Sequence, residues 1–216
     1  MKKSYFISLF LFMGLYASAQ VRYGVEAGYG FNRINAPNVT GKNNPSFRLG
    51  GFVHYSENVE SGIYFGRRGM KLTDFDPQYA GQIEQLDFYN NYIEVVPFSA
   101  TLSDGTLFSE KLKWFINVGF YASYGFGGTS KVTVDGKTVE LNNIYKNQDF
   151  TVDNATYSYK AFKPFDCGVN FGFQFMYQDR YFLRCNLPIS FRNDITPYDK
   201  KVNFVFSSLS LGYMIK

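Results

Sequence analysis

The stretch "CGVNFGFQFMY", residues 167–177, decides the fold class. Val169, Phe171, Phe173, Phe175 and Tyr177 are large and apolar, while Gly168, Asn170, Gly172 and Gln174 between them are small or polar. A period of two marks a β-strand with one apolar face. Two surroundings suit such a face: the inside of a soluble barrel, or lipid. The rest of the chain decides between them.

Seven further segments alternate in the same way, and 167–177 itself extends back to 165. Residues 21–32 set Val21, Tyr23, Val25, Ala27, Tyr29 and Phe31 against Arg22, Gly24, Glu26, Gly28 and Gly30. The others are 46–55, 59–68, 87–98, 113–126, 180–192 and 203–216. None shows a helical period. The connectors alternate in length: about 3, 14 and 2 residues join strands 2–3, 4–5 and 6–7, and about 13, 18, 38 and 10 join the remaining pairs. Short turns at one end and long loops at the other are the asymmetry of outer-membrane barrels. The 98–112 connector is the poorest fit to that pattern. The long 127–164 segment holds Asp135-Gly136, a type I′ hairpin signal. Residues 131–141 therefore read as a surface hairpin, with two extra barrel strands as the alternative.

The second face settles the orientation. A soluble barrel would turn Lys, Glu and Thr to water there. Here it carries Gly24, Gly28, Gly30, Gly50, Gly62, Gly66, Gly119, Gly168, Gly172 and Gly212. Glycine weakens a strand unless something crowds it, and the crowded place in an eight-stranded barrel is the lumen. The apolar face carries no charge across the middle of any segment, where Arg or Lys in lipid would cost about 2–4 kcal/mol. The inner face carries Glu26, Arg48, Glu60, Arg68, Glu94, Asp166, Arg184 and Arg192. Mixed signs in a narrow lumen predict a plug of paired side chains, because a buried charge needs its partner. Tyr23, Tyr55, Trp114, Tyr181 and Tyr213 fall near one end of the strands, and Phe31, Phe47, Tyr89, Tyr124 and Phe191 near the other, as two aromatic girdles would. The expectation is an all-β protein: an eight-stranded antiparallel up-and-down transmembrane β-barrel with long extracellular loops, its outer surface against outer-membrane lipid.

The N-terminus agrees. Lys2 and Lys3, an apolar run from Tyr5 to Tyr16, and Ala17-Ser18-Ala19 before Gln20 form a secretory signal peptide. The run is too short to span a bilayer as a helix. This divides the chain into a signal peptide, 1–19, and one barrel domain, 20–216. The net charge of +4 includes the two signal lysines, so the exported chain carries +2. That is no electrostatic footprint for nucleic acid.

The order "GVEAGYGF", "LGGFVHY", "GIYFGRRGMKL" and "YNNYIEVVPFSA" resembles the small outer-membrane barrels of the PorT-like "porin family" outer membrane protein beta-barrel domain type. The matching features are Gly24 and Gly28, then Arg68-Gly69, then Tyr92-Ile93-Glu94-Val95-Val96-Pro97. The last has one extra residue before the proline, which marks a bulge or a register shift. The resemblance implies an eight-stranded barrel in the outer membrane of a Gram-negative cell envelope, without implying a pore.

Evidence for chemistry is thin. His54 is the lone histidine and stands near Ser56, Glu57 and Ser61. A Ser–His–carboxylate set is the minimum for acyl transfer, but no nucleophile motif surrounds these residues. Asp74 and Asp76 fall on an outer loop without the full oxygen set that Ca²⁺ needs. No phosphate loop, zinc spacing or haem motif is present, so no cofactor is expected. Cys167 and Cys185 lie on neighbouring strands but about four to six positions out of register, too far for a disulfide.

The leading functional expectation is a non-enzymatic integral outer-membrane protein with a plugged lumen. Its outer loops, especially 127–164 with Tyr145, Phe150, Tyr157 and Tyr159, would meet an envelope protein or extracellular partner. Barrel-assembly machinery is expected as a partner during biogenesis. The alternatives are an accessory component of a secretion apparatus, as a PorT-like chain would be, an outer-membrane lipid-modifying enzyme, and a soluble lipocalin-like carrier.

Overall fold

The computed structural model describes residues 21–35, 40–56, 58–73, 83–159, 161–191 and 203–215, with the backbone alone for 34, 35, 203 and 204. The strands are β1 (Arg22–Asn35), β2 (Thr40–Asn43), β3 (Ser46–Ser56), β4 (Val59–Thr73), β5 (Ile83–Leu107), β6 (Ser109–Val134), β7 (Lys137–Asn142), β8 (Gln148–Val152), β9 (Ala155–Tyr159), β10 (Phe165–Tyr177), β11 (Tyr181–Ser190) and β12 (Asn203–Ile215). Eight of them close a ring in the order β10-β11-β12-β1-β3-β4-β5-β6, and β6 pairs back onto β10. Each neighbouring pair is antiparallel. The eight alternating segments are thus the eight wall strands. The short turns, the start of β1 and the end of β12 lie at one end, the periplasmic end of such barrels.

Alternation places the side chains. Val25, Tyr29, Phe31, Leu49, Ile63, Phe65, Ile93, Phe120, Phe171, Leu187 and Leu211 stand exposed on the outside of the ring. A belt of that size and character is unsuited to water and suited to lipid. The alternate residues are buried inside. Cys185 pairs with Phe173 and Ser190 with Gly168, so the two cysteines are six positions out of register, and both thiols are free.

One expectation about the wall needs correction. The 98–112 connector is not a loop of about 14 residues: β5 runs on to Leu107 and β6 begins at Ser109, the regular ladder reaches Thr106 opposite Lys113, and Phe108 sits at the tip beyond it. β5 and β6 are 25 and 26 residues long, against about 9–11 for one crossing of the bilayer. They therefore project beyond the wall at both ends. The extra residue before Pro97 is a bulge: Val95 opposes Ala122 and Phe98 opposes Phe120, one residue more on β5 than on β6. Proline fits there because it has no N–H to donate to the ladder. The bulge also reverses the alternation, so Ser99 rather than Phe98 turns inward.

At the outer end, residues 131–141 form a hairpin and add no strand to the ring: β6 continues to Val134, turns at Asp135-Gly136, and returns as β7 along β6. Asp135 (φ 49°) and Gly136 (φ 71°) are both left-handed, as a type I′ turn requires. β8 and β9 form a second hairpin. Above the membrane the inner face of the wall becomes apolar. Met70, Leu72, Leu86, Phe88, Val132 and Val134 are buried against Leu141, Ile144, Phe150, Val152, Tyr159 and Phe162. This outer crown therefore has its own hydrophobic core.

Candidate functional site

The interior is organised by one chain of charges. Arg68 Nη2 donates to Glu94 Oε2 at 2.9 Å, and Arg48 Nη2 to Glu94 Oε1 at 3.0 Å. Arg48 also pairs with Glu26. Glu26 Oε2 lies 3.2 Å from Arg184 Nη1, and Arg184 Nη2 donates to Glu60 Oε2 at 2.7 Å. His54 Nε2 closes the series 2.9 Å from the same Glu60 oxygen. The six formal charges alternate in sign along β4, β5, β3, β1, β11 and β4 again. All are buried, and the Glu26 side chain is wholly so. Burying these groups singly would be prohibitive, and the arrangement gives each a partner of opposite formal charge.

Aromatic rings pack the same space. The guanidinium of Arg48 lies 3.3 Å from the centre of the Tyr64 ring, and that of Arg68 3.7 Å from that of Tyr92. Arg184 sits 4.9 Å from Phe52 and 5.1 Å from Phe182. The inward glycines make room for these rings. A Cβ at Gly24 would collide with Phe52, at Gly66 with Tyr92, and at Gly212 with Phe182. Asp166 stands apart from the chain, accepting from Tyr121 Oη at 3.1 Å and Ser190 Oγ at 2.5 Å. Arg192, expected among the inner charges, lies outside the described residues.

Below the network a vestibule of about 190 Å³ opens at the periplasmic end, lined by His54, Glu60, Ser99, Asp104, Asn117 and Gln174 among others. Higher up, spaces of only about 20 and 30 Å³ remain beside Arg68, room for about one water each. The vestibule does bring a histidine, a carboxylate and a serine together, but in the wrong order. Register sets His54 opposite Glu60 and Glu60 opposite Ser99. The carboxylate stands between histidine and serine, whereas acyl transfer needs the histidine there. Ser61 Oγ donates to Pro97 O at 2.7 Å, and Ser56 Oγ accepts from the Asn58 N–H at 3.3 Å. Glu57, Asp74 and Asp76 lie outside the described residues.

The crown residues expected to face a partner need correction. Phe150 and Tyr159 are buried in the crown's core. Tyr157 stacks on Phe150, with ring centroids 5.6 Å apart, and donates to Asp135 at 3.1 Å. Tyr145 dips into the barrel mouth over Gly125, accepts from Asn90 Nδ2 at 2.7 Å, and has its phenol pKa pushed up by burial. These aromatics hold the crown to the barrel. Its exposed surface is polar and includes Asp149, Thr151, Asn154, Thr156 and Ser158. Alternation within 148–159 carried that signal: one face is Phe150 and Val152, the other Asp149 and Thr151.

Comparison with known proteins follows the same lines. No curated protein matches the sequence. Among solved structures, Ail, the attachment invasion locus protein of Yersinia pestis, is 12% identical with a TM-score of 0.41, over 91% of this chain and 99% of its own. Neisserial surface protein A is 10% identical with a TM-score of 0.39, over 91% and 96%. The N-terminal β-barrel domain of Pseudomonas aeruginosa OprF is 10% identical with a TM-score of 0.36, over 91% and 100%. The family described as "Outer membrane protein beta-barrel domain" matches residues 16–195, which takes in every wall strand but β12. With a closed ring of eight strands, an apolar outer belt and a charged interior, the chain belongs to this family of outer-membrane β-barrels and is an integral protein of the outer membrane.

Proposed function

We propose that this protein is a non-enzymatic outer-membrane scaffold, its barrel closed by its own side chains and its crown the surface that meets a partner. The observation that carries this reading is the continuous ion-pair chain from Arg68 to Glu60, with His54 beside its end and space for little more than single waters above it. A rigid frame presenting folded loops is the usual arrangement for binding. Cleavage after Ala19 and insertion by barrel-assembly machinery belong to the same reading. Purified protein in planar bilayers is expected to show no ohmic channel, and stable conductance steps would overturn the closed barrel. Excision of 148–159 is expected to leave the heat-dependent gel mobility of a folded barrel. Loss of folding would overturn the division between frame and crown.

A second reading, an accessory of a secretion apparatus of the PorT-like kind, draws support from the periplasmic end. Phe108 is 99% exposed at the tip of the β5–β6 turn, with φ 58°, and Leu102, further back along β5, is exposed too. A bulky left-handed residue in water is unfavourable on both counts, which suits a tip covered by a periplasmic partner.

A further inference from the structure

Arg67 and Arg68 are consecutive and point opposite ways. Arg68 enters the ion-pair chain. Arg67 is exposed on the outside of the wall, on the same face of β4 as Ile63 and Phe65. β1 repeats the pattern: Tyr29 and Phe31 face outward and Arg33 follows them. On both strands the apolar face ends in an aromatic and then an arginine at the outer rim, about 7 Å further along the strand. The two strands meet near these positions: Asn32, next to Arg33, donates from Nδ2 to the carbonyl of Gly69, two residues beyond Arg67, at 2.6 Å. Neither arginine makes an ion pair with a carboxylate among the described residues. The inner arginines 48, 68 and 184 all do.

Arg67 is also held in place. A Cβ at Gly69 would meet Tyr89 Cδ1 at 2.5 Å, so the glycine lets that ring lie across β4. The Arg67 guanidinium then sits 4.4 Å from the ring centre. The Arg68-Gly69 step singled out in the sequence therefore does two things: Arg68 feeds the interior, and Gly69 seats the ring that braces Arg67. Lys71 lies further out on the same face, and the nearest carboxylate of that row, Asp87, already accepts from Asn44 Nδ2 at 2.5 Å. A braced guanidinium at the edge of an apolar belt matches the phosphate of a lipid headgroup, which it can grip with two parallel hydrogen bonds.

We propose that Arg67, braced by Tyr89, and Arg33 form a binding site for the phosphate of an outer-leaflet lipid. The test is native mass spectrometry of the full detergent-solubilised protein titrated with diphosphoryl lipid A, with the dephosphorylated lipid, and with inorganic phosphate as competitor. Wild type is expected to hold the diphosphoryl form about fivefold more tightly than Arg67→Gln, the amount one interfacial cation contributes. Arg67→Lys should fall between, and the dephosphorylated lipid should not distinguish the variants. Tyr89→Leu keeps the charge but removes the brace, so it should also weaken retention; it serves as the independent variant should Arg67→Gln fail to fold. Retention unaffected by millimolar phosphate assigns the site to membrane lipid. Displacement by phosphate alone would overturn the lipid assignment in favour of a soluble anion. Equal retention by wild type and both variants would overturn the site altogether.

Discussion

Replacing Glu26 by alanine is expected to destabilise the folded barrel by about 3–5 kcal/mol, the usual cost of orphaning a buried ion pair. Glu26 stands between Arg48 and Arg184 and is wholly buried. Its loss leaves two buried guanidiniums without the carboxylate that stands between them. The measurement is urea unfolding in lipid vesicles, followed by the gel mobility of unboiled samples. The matched control is Asp179→Asn. That residue pairs with Lys113 at 2.8 Å with half its side chain exposed, so its loss should cost under about 1 kcal/mol. Salt should erode the control's effect and spare that of Glu26→Ala, because screening acts on exposed charges. If both variants lost equally little, the interior would be held by ring packing and not by the charge chain.

The contrast between those two pairs shows what the sequence can and cannot tell. Parity alone puts Glu26, Arg48, Glu60, Arg68, Glu94 and Arg184 on the inward face of their strands, because each alternates with large apolar neighbours. Their pairing is another matter. Arg184 meets Glu60 across 124 residues of chain, and such a contact depends on the stagger of strands around the ring, which no single strand records. The same limit explains the long β5–β6 hairpin. Residues 98–112 contain Ser103-Asp104-Gly105, which reads as a turn, and alternation fails at the Pro97 bulge. The chain instead keeps its ladder to Thr106 opposite Lys113 and turns beyond it around Phe108, in a conformation that phenylalanine rarely adopts.

The crown was hidden for a different reason. Phe150 and Tyr159 look like exposed aromatics on a polar background until Leu86, Phe88, Val132 and Val134 are known to continue the wall above the membrane. Their outward neighbours there are Asp87, Lys131 and Thr133, so the apolar face has become the inner one. The rule that the uncharged, apolar row faces out holds only within the bilayer. Beyond it the wall reverts to the rule of soluble proteins, and the β8–β9 hairpin exists to cover the face that results.

That reversal makes the second large effect a matter of depth. Phe171→Arg is expected to cost about 2–4 kcal/mol in lipid vesicles, because it places a charge on the lipid face near the middle of the wall. Phe171 pairs with Leu187 on one side and Val118 on the other, far from either rim. An arginine there cannot readily reach water, whereas Arg67 and Arg33 stand where the cost falls to about 0–1 kcal/mol. The same substitution made on the crown's outer face, at Thr133, should be close to neutral. Unfolding by urea and the heat-dependent gel shift read both variants on one scale. A soluble barrel would show no such contrast, since an added charge at an exposed Phe171 would meet water and leave stability unchanged. A large loss at Phe171 together with none at Thr133 would therefore locate the lipid boundary between them, on the same wall and from the folded protein itself.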